Sequence, residues 1–96
     1  MYVKIHKTPE REVLAVCDED LIGKVFEEDD LQLKVSERFY KGEKLSEEKT
    51  LELLKKFTDC NLVGEKTIAL AIKNNIISKD NIIKIQGVPH ATISLI

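Results

Sequence analysis

Tryptophan is absent from this chain and aromatic side chains are scarce, with Tyr2, Phe26, Phe39, Tyr40 and Phe57 making up the whole set. A core built from this sequence must therefore be mostly isoleucine, leucine and valine. Cysteine is nearly absent as well, represented only by Cys17 and Cys60. Two cysteines make no disulfide framework, and they fit a reducing cytosol. No apolar stretch approaches the roughly 18 residues of a membrane span. Met1 leads straight into an alternating pattern, without the basic flank and apolar run of a signal peptide. These absences exclude a disulfide-stapled secreted module and a helical membrane protein, and they point to the cytoplasm.

The motifs of common chemistry are missing too. No serine lies in a nucleophile elbow, and the calcium-loop spacing of an EF-hand does not occur. "GEKT" (64–67) looks like the tail of a phosphate loop, but Glu65 separates Gly64 from Lys66, and a glutamate there would repel phosphate. Nucleotide binding by that route is rejected. His6, Cys17, Cys60 and His90 are the right residue types for zinc, yet structural zinc sites draw their ligands in close pairs and these four are widely scattered. No metal and no cofactor is therefore expected.

What is present is a globular composition, 43% hydrophobic and 33% charged over 96 residues, enough for one domain spanning 1–96. The net charge of −2 hides an asymmetry, because residues 1–33 carry 4 basic and 9 acidic side chains and residues 34–96 carry 11 and 8. Overall acidity argues against a general nucleic-acid binder. The acidic clusters "CDED" (17–20) and "EEDD" (27–30) read as solvated turns, better suited to a basic partner than to a metal.

Periodicity sets out the elements. "YVKIHK" (2–7) alternates as a strand with one buried face, and "EVLAVCD" (12–18), apolar on both faces, returns antiparallel as a central strand. "EDLIG" suggests a helical turn stopped by Gly23, followed by a short strand, and "LQLKVS" (31–36) alternates again. "ERFYKGEKL" reads as a connection. Residues 46–59 form a helix capped by Ser46, with Glu47 and Glu48 at its positive end. After the break "CNLVG", a second and more buried helix covers 64–75. "IIKIQ" (82–86) and "ATISLI" (91–96) are strands joined by "GVPH", a turn in which Pro89 fixes one dihedral and could be cis. The order gives an α+β fold, a mostly antiparallel sheet with two consecutive helices packed on one face.

Two segments, "NLVGE" (61–65) and "GVPHA" (87–91), together with "CDEDLIGKVFEE" near the front, resemble an archaeal family of small uncharacterised proteins, domain of unknown function family 424. The resemblance covers nearly the whole chain. It implies an archaeal, cytoplasmic, single-domain α+β protein and transfers no catalytic residue. Members of such compact families are often housekeeping factors of the translation or RNA machinery, and Cys17, Asp18, Gly23, Asn61, Gly64, Glu65, Pro89 and His90 are the matched positions to test.

The expected function is a non-enzymatic binding module with a protein or ribonucleoprotein partner. Its candidate residues are Asp18, Asn61, Gly64, Glu65, Pro89 and His90. The helix entrance at Gly64 offers amides that can hold a carboxylate or another chain's backbone. Direct RNA contact would run through Lys34–Lys44, where Lys34, Arg38, Lys41 and Lys44 interleave with Phe39 and Tyr40. The alternative is a small hydrolase or transferase using His90 with an acidic residue such as Asp18 or Glu65. His90 is either punctuation in a turn or part of a binding edge.

Overall fold

The computed structural model describes residues 1–94. β1 (Tyr2–Lys7) and β2 (Glu12–Cys17) pair antiparallel, as their alternation requires. A single 3-10 turn (Glu19–Leu21) leads past Gly23 into a two-stranded ribbon, β3 (Val25–Glu28) with β4 (Leu31–Lys34). "EEDD" is the end of that ribbon, with Asp29 in the left-handed region at its turn (φ 54°). The stretch expected to be a mere connection holds a one-turn helix, α1 (Glu37–Tyr40), and a two-residue strand, β5 (Glu43–Lys44). Ser36 caps α1, its Oγ accepting from the Phe39 amide at 3.2 Å. A single turn is too short to show helical periodicity.

α2 (Glu47–Lys56) starts where its signals place it, with Ser46 Oγ accepting from the Lys49 amide. The "CNLVG" break is not a loop. Residues Cys60–Val63 form β6, an inner strand of the sheet, and α3 (Glu65–Lys73) follows at once. A second 3-10 turn (Lys79–Asn81) then enters β7 (Ile82–Ile85) and β8 (Val88–Ile93). The turn between them is shorter than the "GVPH" reading: Gln86 (φ 51°) and Gly87 (φ 78°) make a two-residue hairpin of the kind that needs positive φ. Pro89 and His90 lie inside β8, and the described residues contain no cis peptide bond. Of "ATISLI", residues 95–96 lie outside the described residues.

The six-stranded sheet runs β5-β1-β2-β6-β8-β7, antiparallel throughout except for the parallel pair β2–β6 at its centre. Both faces are covered. Leu14, Val16 and Leu62 meet Leu54 of α2 and Ile68 and Ala71 of α3 on one side, so the two longer helices do share a face. On the other side Ala15, Cys17 and Val63 pack under Leu33, Val35 and Tyr40, supplied by the ribbon region and α1. The two-sided apolar pattern of "VLAVC" has its cause here, since β2 is buried from both directions.

Candidate functional site

The strands β2 and β6 end side by side, and the residues that follow them build a connected cluster. The Asp18 amide donates to the Val63 carbonyl at 3.1 Å, and the Gly64 amide donates to the Pro89 carbonyl at 2.9 Å. Asp18 is only 6% exposed. Its Oδ2 accepts from the Lys66 amide at 2.9 Å, while Oδ1 accepts from both the amide and the hydroxyl of Thr67, each at 2.8 Å. Three donors at a helix N-terminus are what a desolvated carboxylate needs.

Gly64 makes this possible twice over. It is the residue before α3 and has no side chain with which to cap it, and its φ of 109° is open chiefly to glycine. A Cβ at this position would collide with the Asp18 carboxyl group. The helix entrance therefore does hold a carboxylate, as its free amides suggest, but the carboxylate is the chain's own. Beside it lies a cavity of about 260 Å³ bordered by Asp20, Leu21, Glu65, Lys66, Gly87 and Pro89. Glu65 itself is exposed.

The structure thus brings Asp18, Gly64, Glu65 and Pro89 together and leaves Asn61 and His90 elsewhere. His90 pairs with Val63 on β6 and Ile83 on β7, and directly opposed residues share a face. Val63 belongs to the cluster on the ribbon side, so His90 points that way, away from the helix side on which Asp18 meets α3. An Asp18–His90 dyad is not formed. His90 is half-buried, burial holds its pKa below the usual histidine value, and its ring has no hydrogen-bond partner among the described residues. Asn61 lies on the same face, where its Oδ1 accepts from the Thr92 hydroxyl at 3.2 Å. Cys17 and Cys60 face opposite sides of the sheet, and among the described residues no three His, Cys, Asp or Glu side chains are grouped to hold a metal.

The Lys34–Lys44 segment folds over β1. His6 Nε2 lies 2.8 Å from the Phe39 carbonyl, and its ring stacks on the Phe39 ring with centroids 4.4 Å apart. Lys4 Nζ donates to the Arg38 carbonyl at 2.6 Å. Tyr40 is buried, and desolvation, then the neighbouring Cys17, pushes its phenol up to about 12. Lys41 and Lys44 each have a carboxylate nearby, Glu37 at 3.9 Å and Glu19 at 3.4 Å, while Lys34 and Arg38 have none among the described residues.

Thr67, the residue that holds Asp18 most closely, was legible only as the last letter of "GEKT". Nothing local links it to "CDED". The tie is made by the parallel pairing of β2 with β6.

Residues 6–96 match the family model described as "Protein of unknown function (DUF424)". The chain belongs to this family. The DUF424 chain is also similar to a solved structure, described as the crystal structure of an uncharacterized conserved protein from Methanopyrus kandleri. The two share 29% sequence identity and superpose with a TM-score of 0.77, covering 96% of this chain and 88% of the other. No curated protein matches the DUF424 chain. No helix among the described residues is long and apolar enough to cross a membrane.

Proposed function

We propose that this protein is a non-enzymatic binding module of the cytoplasm. Its partner is a protein or ribonucleoprotein, in the setting of translation or RNA processing. The observation that carries this reading is the ribbon-side face of the sheet where β6, β8 and β7 lie side by side. The ribbon and α1 cover Ala15, Cys17 and Val63 but leave Thr92 exposed, Asn61 and His90 half-exposed, and Ile83 52% exposed. The only carboxylates within the strands of this sheet, Glu12 and Glu43, pair with Lys7 and Val3 on the opposite face. Lys44, Lys4, His6 and His90 supply the ionisable nitrogen on the ribbon side. A neutral imidazole, an amide and a hydroxyl around one exposed isoleucine suit a polar partner surface.

Cations at the β1 side of the same face favour an RNA component. Arg38 and Lys4 border the stacked His6–Phe39 pair, and phosphate contacts by such residues add affinity without demanding sequence. The helix entrance supports this surface structurally, with Asp18, Gly64 and Pro89 fixing the strand ends, and Glu65 remains exposed for contact.

The test is recovery of partners from native cell extract, with and without ribonuclease, by the wild type and two variants. His90→Ala should keep the wild-type melting curve and lose partners. Lys34→Glu with Arg38→Glu should lose the ribonuclease-sensitive share. Equal recovery by all three proteins would refute the surface.

A further inference from the structure

Two carboxylates in this protein are equally buried, Asp18 and Asp59, each 6% exposed. Asp18 accepts three hydrogen bonds. Asp59 accepts none through Oδ1 among the described residues, and Oδ2 has only the Arg11 Nε at 4.0 Å, beyond hydrogen-bond reach. Removing a carboxylate from water without supplying donors is unfavourable, so this group is built to receive one. Asp59 also lines a cavity of about 650 Å³. The cavity lies at the end of the sheet opposite Asp18, between the β1–β2 turn and the chain leaving α2.

We propose that this cavity binds an organic cation, an alkylammonium or guanidinium group, on the Asp59 carboxylate. Glu10 and Glu12, the latter 3.9 Å from Lys7, border the same cavity and raise its negative potential, and half-buried Phe57 supplies part of its apolar wall. Thr58 adds a hydroxyl acceptor. Three carboxylates against Arg11 and Lys56 disfavour a phosphate. A bare metal ion is disfavoured too, since it requires a denser ligand set than the described residues group anywhere. Arg11 is then the resident competitor. Its side chain is 47% exposed and held to Asp59 by one long contact, so an incoming cation replaces it and it swings to solvent.

The experiment is an NMR titration of the intact chain, following the Thr58, Asp59 and Cys60 amides. The probes are agmatine, spermidine and an arginine tripeptide with blocked ends, with inorganic phosphate as control. Saturable shifts with the free amines but not the tripeptide identify a small-molecule cation. Equal response to the tripeptide identifies an arginine side chain of a protein. Asp59→Asn, which keeps the shape of the side chain, should weaken binding by about tenfold or more, the loss expected for one charge-assisted contact. Arg11→Ala should tighten it. The proposal is overturned by any of three results: no saturation with any cation, the same shifts with phosphate, or binding lost in Arg11→Ala with the fold intact.

Discussion

One oxygen of Asp18 takes two hydrogen bonds from Thr67, a residue 49 positions further along the chain, through its amide and its hydroxyl. The helix α3 is capped by a residue from the opposite side of the central seam, not by its own N-terminal neighbour. That arrangement turns an ordinary cap into a tertiary clasp.

Asp18→Ala should therefore cost about 2–3 kcal/mol, more than a local cap, because charged hydrogen bonds in a buried site are lost together. Gly64→Ala should cost at least as much, since the new methyl meets the Asp18 carboxyl and the backbone is held at φ 109°. The double variant should cost less than the two losses added, because removing the carboxyl relieves the collision. Urea melts of the three proteins measure this directly. Full additivity would mean that the two residues do not meet.

In the core, Leu54 is 2% exposed whereas Ile72 is only half-buried. Leu54→Ala should cost about 2–4 kcal/mol, and Ile72→Ala about half of that, in proportion to the apolar surface each withdraws from water. A shift of the denaturant midpoint that is larger for Ile72→Ala would contradict the packing.

His90 makes stability depend on pH in a defined direction. Burial lowers its pKa below the ordinary value of 6.5, so the unfolded chain takes up the proton first. Its contribution is complete above about pH 6.5 and is lost as pH falls toward the lowered folded value. Replacing it with asparagine should flatten the stability profile on the acid side of neutrality and leave pH 8 unchanged. A steeper acid limb in His90→Asn would reverse the sign and the assignment of burial.

Cys17 and Cys60 should be inert in the folded protein. Burial, then the neighbouring Asp18, pushes the Cys17 thiol up to about 12, and burial followed by Asp59 pushes Cys60 up to about 11. At pH 8 almost no thiolate is present, so iodoacetamide should label neither residue until urea opens the fold. Mass spectrometry of native protein showing rapid single labelling would identify a reactive cysteine instead.

The sequence carried most of the elements, because long periodic segments state their own burial: β1, β2, α2 and α3 follow the alternation and capping signals closely. Besides the two-residue β5, two strand assignments failed for different reasons. β6 has four residues, with Asn61 inside and Gly64 after it, and it becomes a strand only because β2 and β8 pair on its two sides. Its hidden status also concealed that Asp18 and Thr67 are neighbours. In "GVPH", proline and histidine look like turn residues, yet the positive-φ requirement is met earlier, by Gln86 and Gly87. Asp18, Gly64 and Glu65 stood out as turn and helix-entry residues, whereas Pro89, read as part of a turn, lies inside β8. Asp59 gave no local signal, since an aspartate after a helix reads as solvated.

The parallel seam also divides the chain's route to its native state. The β1–β2 and β7–β8 hairpins close over short turns and can form within microseconds, each on its own. Joining Leu14 to Cys60 instead requires closing the whole intervening stretch, ribbon and helix α2 included, an entropic step that local contacts do not share. Of the sheet's pairings this one spans the greatest separation along the chain, and the carboxylate of Asp18, which reaches α3 only once β2 meets β6, acts as the latch that holds the seam shut.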